Sequence, residues 1–134
     1  MCPRTSAAPA APADLGRVIM FSHSHTPQLS ASEAVALMHE GAVLLDVRED
    51  DEWRAGHAPQ AVHIPLGLLG QQVGQLDAGQ PIVIICRSGR RSDHATAALR
   101  AAGYDAYNFS GGMQAWQLAG GAVVTPAGQP GTVI

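Results

Sequence analysis

Between about Ser30 and Val124, short apolar runs alternate with amphipathic stretches. Ala42 to Val47 is apolar except for Asp46, a pattern that predicts a strand buried on both faces. Pro81 to Ile85 is β-branched and continuous after its opening proline, the clearest strand signal in the chain. Ala61-Val62-His63-Ile64, ahead of Pro65, and Tyr104 to Phe109 predict two more extended segments. The helical signals fall between them. Ser30-Ala31-Ser32-Glu33 has the form of a capping box, and Ala34, Leu37 and Met38 share the face of the helix it opens, which should stop near Gly41. Leu66, Leu69, Val73 and Leu76 stand at helical spacing, which predicts a helix over 66–76. Ala95, Ala98, Leu99 and Ala102 form the stripe of a helix over 92–102, with Gly103 at its C′ position, and Gly112 to Leu118 reads as a last short helix. Strands alternating with helices predict an α/β domain with a parallel sheet and helices on both faces.

Composition narrows the picture. A chain of 134 residues with 46% hydrophobic residues holds one ordinary domain with a real core. All eight basic residues are arginine, and the net charge of −3 argues against nucleic acid or an anionic membrane as partner. The longest aliphatic runs are far too short to span a bilayer, and two cysteines make no disulfide framework, so the expectation is a cytoplasmic protein in a reducing compartment. Residues 1–28, with an Ala/Pro-rich stretch from Ala7 to Ala13, read as a flexible extension without a secretory signal. His23 and His25 within it are expected to be solvated side chains rather than metal ligands. The domain is expected over 29–125, and 126–134, rich in glycine and proline, reads as a C-terminal tail. The lysine-free, Ala/Gly-rich composition suggests a GC-rich bacterial genome.

In a parallel α/β sheet, ligands bind where strands end and loops enter helices. The strand ending at Ile85 runs straight into Cys86-Arg87-Ser88-Gly89-Arg90-Arg91-Ser92 before a helix begins. Backbone N–H groups of such a loop can converge on one spot, where the helix dipole favours an anion. Gly89 permits the positive φ of a tight cradle. A cysteine at its base gains thiolate character from the same dipoles and from nearby guanidinium groups. An inert buried cysteine is the plain alternative, and the three arginines, the glycine and the helix start weigh against it. Cys2 has no such surroundings.

Three ordered motifs now carry a resemblance. Leu44-Leu45-Asp46-Val47-Arg48, followed by Glu52-Trp53, Gly56-His57 and Ala61-Val62-His63-Ile64-Pro65, resembles the first signature of the rhodanese family, the thiosulfate sulfurtransferases. The loop from Cys86 to Ser92 resembles the family's active-site loop, and Gly111-Gly112-Met113-Gln114-Ala115-Trp116 its C-terminal signature. The likeness is to the single-domain kind and covers roughly Leu29 to Val124. It implies a rhodanese-like fold with a central parallel sheet of about five strands. It also implies an activity: the Cys86 thiolate attacks a sulfane sulfur such as that of thiosulfate, holds it as a persulfide, and passes it to cyanide, a thiol or a protein acceptor. Backbone amides from Arg87 to Ser92 would cradle the persulfide, Arg87, Arg90 and Arg91 would attract the anionic donor, and no cofactor is implied.

Two other readings compete. A phosphatase or arsenate reductase needs Cys-x5-Arg, but Ser92 occupies the arginine position and Arg91 falls one residue short. A non-catalytic rhodanese module that binds or regulates a partner is the second, and the retained cysteine disfavours it. The acidic run from Asp46 to Glu52 is expected to be structural, with Asp46 and Arg48 in local ion pairs near the sheet's carboxyl edge and no metal site. His57 is expected to be a structural histidine, His63 to face away from Val62 and Ile64, and His94 to lie close enough to Cys86 to influence it. Trp53 and Trp116 are expected in the core, with the pocket mouth as a second place for Trp116. Donor, acceptor, pathway and oligomeric state stay open. The charge distribution carries more than its sum: residues 30–125 hold six arginines against ten acids, and three of the six lie between 87 and 91.

Overall fold

The computed structural model describes residues 26–134. Five parallel strands form one sheet: β1 (Gln28–Leu29), β2 (Val43–Asp46), β3 (Val62–His63), β4 (Ile82–Ile85) and β5 (Ala106–Phe109), in the order β1-β5-β4-β2-β3. The strands most apolar in sequence lie innermost. Every residue of β4 is buried, between β2, where Leu45 pairs with Ile84, and β5, where Asn108 pairs with Ile84 on the other side.

Alternation along the strands divides the core in two, as the pleat requires. Leu45, Ile82, Ile84 and Ala106 point to one face, where Ala95 and Leu99 of the long helix α4 (Arg90–Ala101) cover them. Leu44, Val83, Ile85 and Phe109 point to the other, covered by Ala34 of α1 (Ala31–His39) and by Met113 and Trp116 of α5 (Gly112–Leu118). Helices therefore lie on both faces. The capping box at α1 is formed: the Glu33 N–H donates to Ser30 Oγ at 3.2 Å, and the Ser30 N–H donates to Glu33 Oε1 at 2.8 Å.

The segment 66–76 departs from the continuous helix its spacing predicts. It is a 3-10 turn (Leu66–Leu68), a single α turn α3 (Leu69–Gln72) and a second 3-10 turn (Val73–Gln75). Leu66, Leu69, Val73 and Leu76 still pack on the α4-side core, so the spacing identifies the buried face correctly. Gly67, Gly70 and Gly74 explain the broken backbone, each costing about 1 kcal/mol relative to alanine inside a helix. The acidic run holds a helix that hydrophobic periodicity does not reveal, α2 (Asp50–Ala55), which has no buried residue.

Both ends of the domain differ from the expected boundaries. Residues 26–28 belong to it: Pro27 O accepts from the Asn108 N–H at 2.8 Å, and Gln28 Nε2 donates to Asp93 at 2.7 Å. Of the expected extension, residues 1–25, with Cys2, His23 and His25, lie outside the described residues. The segment 126–134, read as a tail, folds back along the domain. Its Gly131 N–H donates to Val123 O at 2.8 Å, its Thr132 N–H to Ala55 O at 2.8 Å, and Val133 packs on the α5-side core. Gly56 is glycine for this approach, since a Cβ there would stand 2.5 Å from Thr132 O. Among the described residues no helix is long and apolar enough to cross a membrane.

Candidate active site

Cys86 follows the last residue of β4 at the carboxyl edge of the sheet and is only 1% exposed. The chain then turns through Arg87-Ser88-Gly89 into α4. Gly89 makes the turn with φ of +106°, and its missing side chain leaves room for Gly111 N, 3.1 Å from where a Cβ would sit. The turn aims donors at the sulfur. The Gly89 N–H lies 3.1 Å from Cys86 Sγ and the Ser92 N–H 3.3 Å, while Ser92 Oγ stands beside the sulfur at 3.3 Å.

Burial pushes the Cys86 thiol up, but the contacts from Ser92 and from the N–H groups of Gly89 and Ser88 outweigh it and hold the pKa below the usual thiol value. The backbone N–H donors favour a thiolate at the start of a twelve-residue helix, where the dipole adds to their pull.

The far side of the loop rests on the N-terminus of α5. Met113 N–H donates to Cys86 O at 2.7 Å and Gln114 N–H to Arg87 O at 3.1 Å, so the open amides of one helix hold the carbonyls of the Cys86 turn. Contact this close explains the paired glycines. A Cβ on Gly112 would meet Cys86 O at 2.4 Å, and the φ of +59° there also suits glycine.

The three loop arginines do different things. Arg91 gives a two-pronged ion pair to Glu52 of α2, NH1 to Oε1 at 2.8 Å and NH2 to Oε2 at 2.9 Å. Arg87 is exposed and donates from Nε to Ile134 O at 2.9 Å, a contact from the returning C-terminal segment. Arg90, first residue of α4, is exposed and makes no ion pair or side-chain hydrogen bond within the described residues. Ser88 is exposed on the turn, while Ser92 is fully buried.

Asp46 and Arg48 form a buried pair at the end of β2, both with 0% side-chain exposure. Arg48 Nε donates to Asp46 Oδ1 at 3.0 Å, and NH2 to Oδ2 at 2.8 Å and to Gly56 O at 2.8 Å, tying the strand to the end of α2. Its NH1 has no hydrogen-bond partner among the described residues. Trp53 of α2 stacks on His57 (centroids 3.5 Å apart) and on His63 (4.6 Å). His57 Nδ1 donates to Trp53 O and His63 Nε2 to Arg48 O, since a carbonyl only accepts. Neither histidine touches the sulfur. His94 is exposed on α4, and none of the hydrogen bonds to Sγ comes from it. Trp116 lies in the core against Phe109, its Nε1 bonded to Ala122 O, so it does not line the pocket mouth. No three metal-ligating side chains cluster among the described residues.

Sequence reasoning missed two participants. Glu52 fixes Arg91, yet in sequence it is one acid in a row of them. Asn108, 2% exposed, bonds to both Ser92 and Gly89, and its only signal was an amide inside an apolar strand.

Comparison with known proteins matches residues 30–119 to the rhodanese-like domain family. YtwF of Bacillus subtilis is 44% identical over 78 residues, 58% of this chain and 76% of its own. The thiosulfate sulfurtransferase GlpE of Pseudomonas savastanoi pv. phaseolicola is 32% identical over 91 residues, 67% of this chain and 86% of its own. A crystal structure of a rhodanese-related protein from Thermoplasma volcanium superposes with a TM-score of 0.68 at 28% identity, covering 73% of this chain and 97% of that one.

Proposed function

The chain belongs to the rhodanese-like domain family, and from that premise we propose that it is a sulfurtransferase carrying sulfane sulfur on Cys86. The observation that supports this most directly is the convergence of the Gly89 and Ser92 N–H groups on Sγ of a nearly unexposed cysteine. The similarity to GlpE, named for thiosulfate, suggests thiosulfate or a related anion as donor.

In the first half-reaction the thiolate attacks the outer sulfur of thiosulfate. An S–S bond forms to Cys86, the bond to the sulfonate sulfur breaks, and sulfite leaves with the electron pair. The persulfide carries one negative charge, so no proton moves, and loop amides stabilise it without a general base. In the second half-reaction cyanide, a thiol or a protein nucleophile attacks the outer sulfur, and Cys86 leaves as thiolate. The N-terminus of α4 and Arg90 draw the anionic donor in. Phosphoryl transfer is disfavoured by the placement of Arg91: the guanidinium nearest a phosphate-clamping position is committed to Glu52. The locale in keeping with a free thiol is a reducing compartment such as the cytoplasm.

Intact-mass measurement after incubation with thiosulfate tests the reading. A gain of one sulfur atom is expected, reversed by cyanide with release of thiocyanate and absent in Cys86→Ala. No adduct on the unsubstituted protein would overturn it.

A further inference from the structure

Asn108 lies in β5, behind the reactive loop. Its Nδ2 donates to Gly89 O at 3.2 Å and to Gln28 Oε1 at 2.8 Å. Because Gly89 O can only accept, the amide nitrogen must face it, and Oδ1 is left facing Ser92 Oγ at 2.6 Å. Two oxygens at that distance need a proton between them. Oδ1 carries none, so the proton is that of the Ser92 hydroxyl.

A hydroxyl has one proton. Toward Cys86 Sγ, 3.3 Å away, Ser92 Oγ therefore turns a lone pair, which accepts from a thiol and does nothing for a thiolate. Rotating the proton to the sulfur would strand a buried amide oxygen. The backbone N–H groups are then the donors that hold the resting thiolate, and the hydroxyl joins them only when released.

We propose that Asn108 is a positioning residue of the sulfur site, holding the Ser92 hydroxyl proton away from Cys86 and so setting how strongly the thiolate is stabilised. Its purpose rests on the sulfur-transfer reading: a thiolate stabilised by fewer donors is the better nucleophile toward sulfane sulfur, because nucleophilicity falls as thiol pKa falls.

Among the described residues, few charged or titratable groups lie around the sulfur. Arg87 flanks it, Arg90, Arg91, Asp93 and His94 lie on α4, and the Asp46–Arg48 pair ends the neighbouring strand β2. β5 adds Tyr107, and α5 contributes no titratable group. None is replaced by the substitutions below, which act on neutral groups.

The test follows alkylation of Cys86 by iodoacetamide against pH, in a Cys2→Ser background with no sulfur donor present. The readout is the thiol itself, so failure of sulfur transfer and failure of this inference are separate results. Asn108→Leu fills the space without offering an acceptor, while Gly89 O keeps its bond from the Asp93 N–H at 3.1 Å. The freed hydroxyl then donates to Sγ, and the alkylation midpoint falls by about one pH unit, a tenfold gain in thiolate below the midpoint. Ser92→Ala leaves the midpoint unchanged or lower, and the double variant behaves as Ser92→Ala alone. A midpoint raised by Ser92→Ala overturns the proposal, as does an unmoved midpoint in Asn108→Leu or a shift that persists without the hydroxyl. Should Asn108→Leu lose its near-UV circular dichroism, Ser92→Ala decides alone, by the sign of its shift.

Discussion

Glu52 holds Arg91 through two parallel hydrogen bonds of 2.8 and 2.9 Å, joining α2 to the start of α4 across 39 residues. The same carboxylate accepts the Glu49 N–H at 3.0 Å, so one side chain caps its own helix and steadies the Cys86 loop. The bonds from Arg91 are the main cause of a Glu52 pKa lowered to about 2, aided by the Glu49 amide and opposed by burial. A carboxylate depressed on folding adds stability above its unfolded pKa and loses it as pH falls through the folded value. The contribution is therefore present above about pH 4.5 and fades toward pH 2. Arg91 is 34% exposed, so solvent screening reduces the effect to about 1–2 kcal/mol. Glu52→Gln should melt lower than the parent at pH 7, and the two melting curves should converge near pH 2. A gap that does not depend on pH would show that the ion pair is not its source.

Arg90 differs from its neighbours in having no partner among the described residues, which makes it the loop arginine open to an incoming anion. Arg90→Ala should raise the KM for thiosulfate about fivefold, the value of roughly 1 kcal/mol of exposed electrostatic attraction, with kcat nearly unchanged. Raising the salt to 1 M should shrink the difference, because exposed charges are screened. An Arg90→Ala KM equal to the parent's at low salt would remove Arg90 from donor binding.

The Asp46–Arg48 pair is fully buried, with neither side chain exposed, so its expected contribution is to stability. Asp46→Ala would leave a guanidinium buried without its counter-charge, which costs about 3–5 kcal/mol. The melting temperature should fall by roughly 10 °C or more. A loss under 1 kcal/mol in chemical denaturation would mean that Arg48 finds water or another partner.

Much of the architecture is legible in residue order because its strands are buried on both faces. Ile82-Val83-Ile84-Ile85 can be little else than a central strand, and a cysteine after it must stand at the carboxyl edge. β1 is illegible for the opposite reason, since two edge residues, one of them glutamine, carry no periodicity. α2 escapes notice because none of its residues is buried; charge and capping, rather than a hydrophobic stripe, hold it. Within the site, the cysteine and its glycine are visible because chemistry demands those residue types. The division of labour among Arg87, Arg90 and Arg91 depends on Ile134 and Glu52, partners distant in sequence.

Glycine substitutions separate the two roles that this residue plays here. Gly112 has φ of +59°, and a methyl group there would collide with Cys86 O at 2.4 Å and Arg87 O at 2.5 Å. Neither neighbour can give way without breaking the bonds from Met113 and Gln114 that hold the loop. Gly112→Ala should therefore cost several kcal/mol, well beyond the ~1–2 kcal/mol of left-handed strain alone, and whatever folds should lose the depressed thiol pKa. Gly70 sits within α3 with nothing within 4 Å of where a Cβ would stand and no positive φ. Gly70→Ala should stabilise the domain by about 0.4–1 kcal/mol, by restricting the unfolded chain and favouring the helical turn. Melting temperatures of the two variants should move in opposite directions. A Gly112→Ala protein as stable as the parent, alkylating with the parent's pH profile, would mean that the α5 contact does not shape the Cys86 loop.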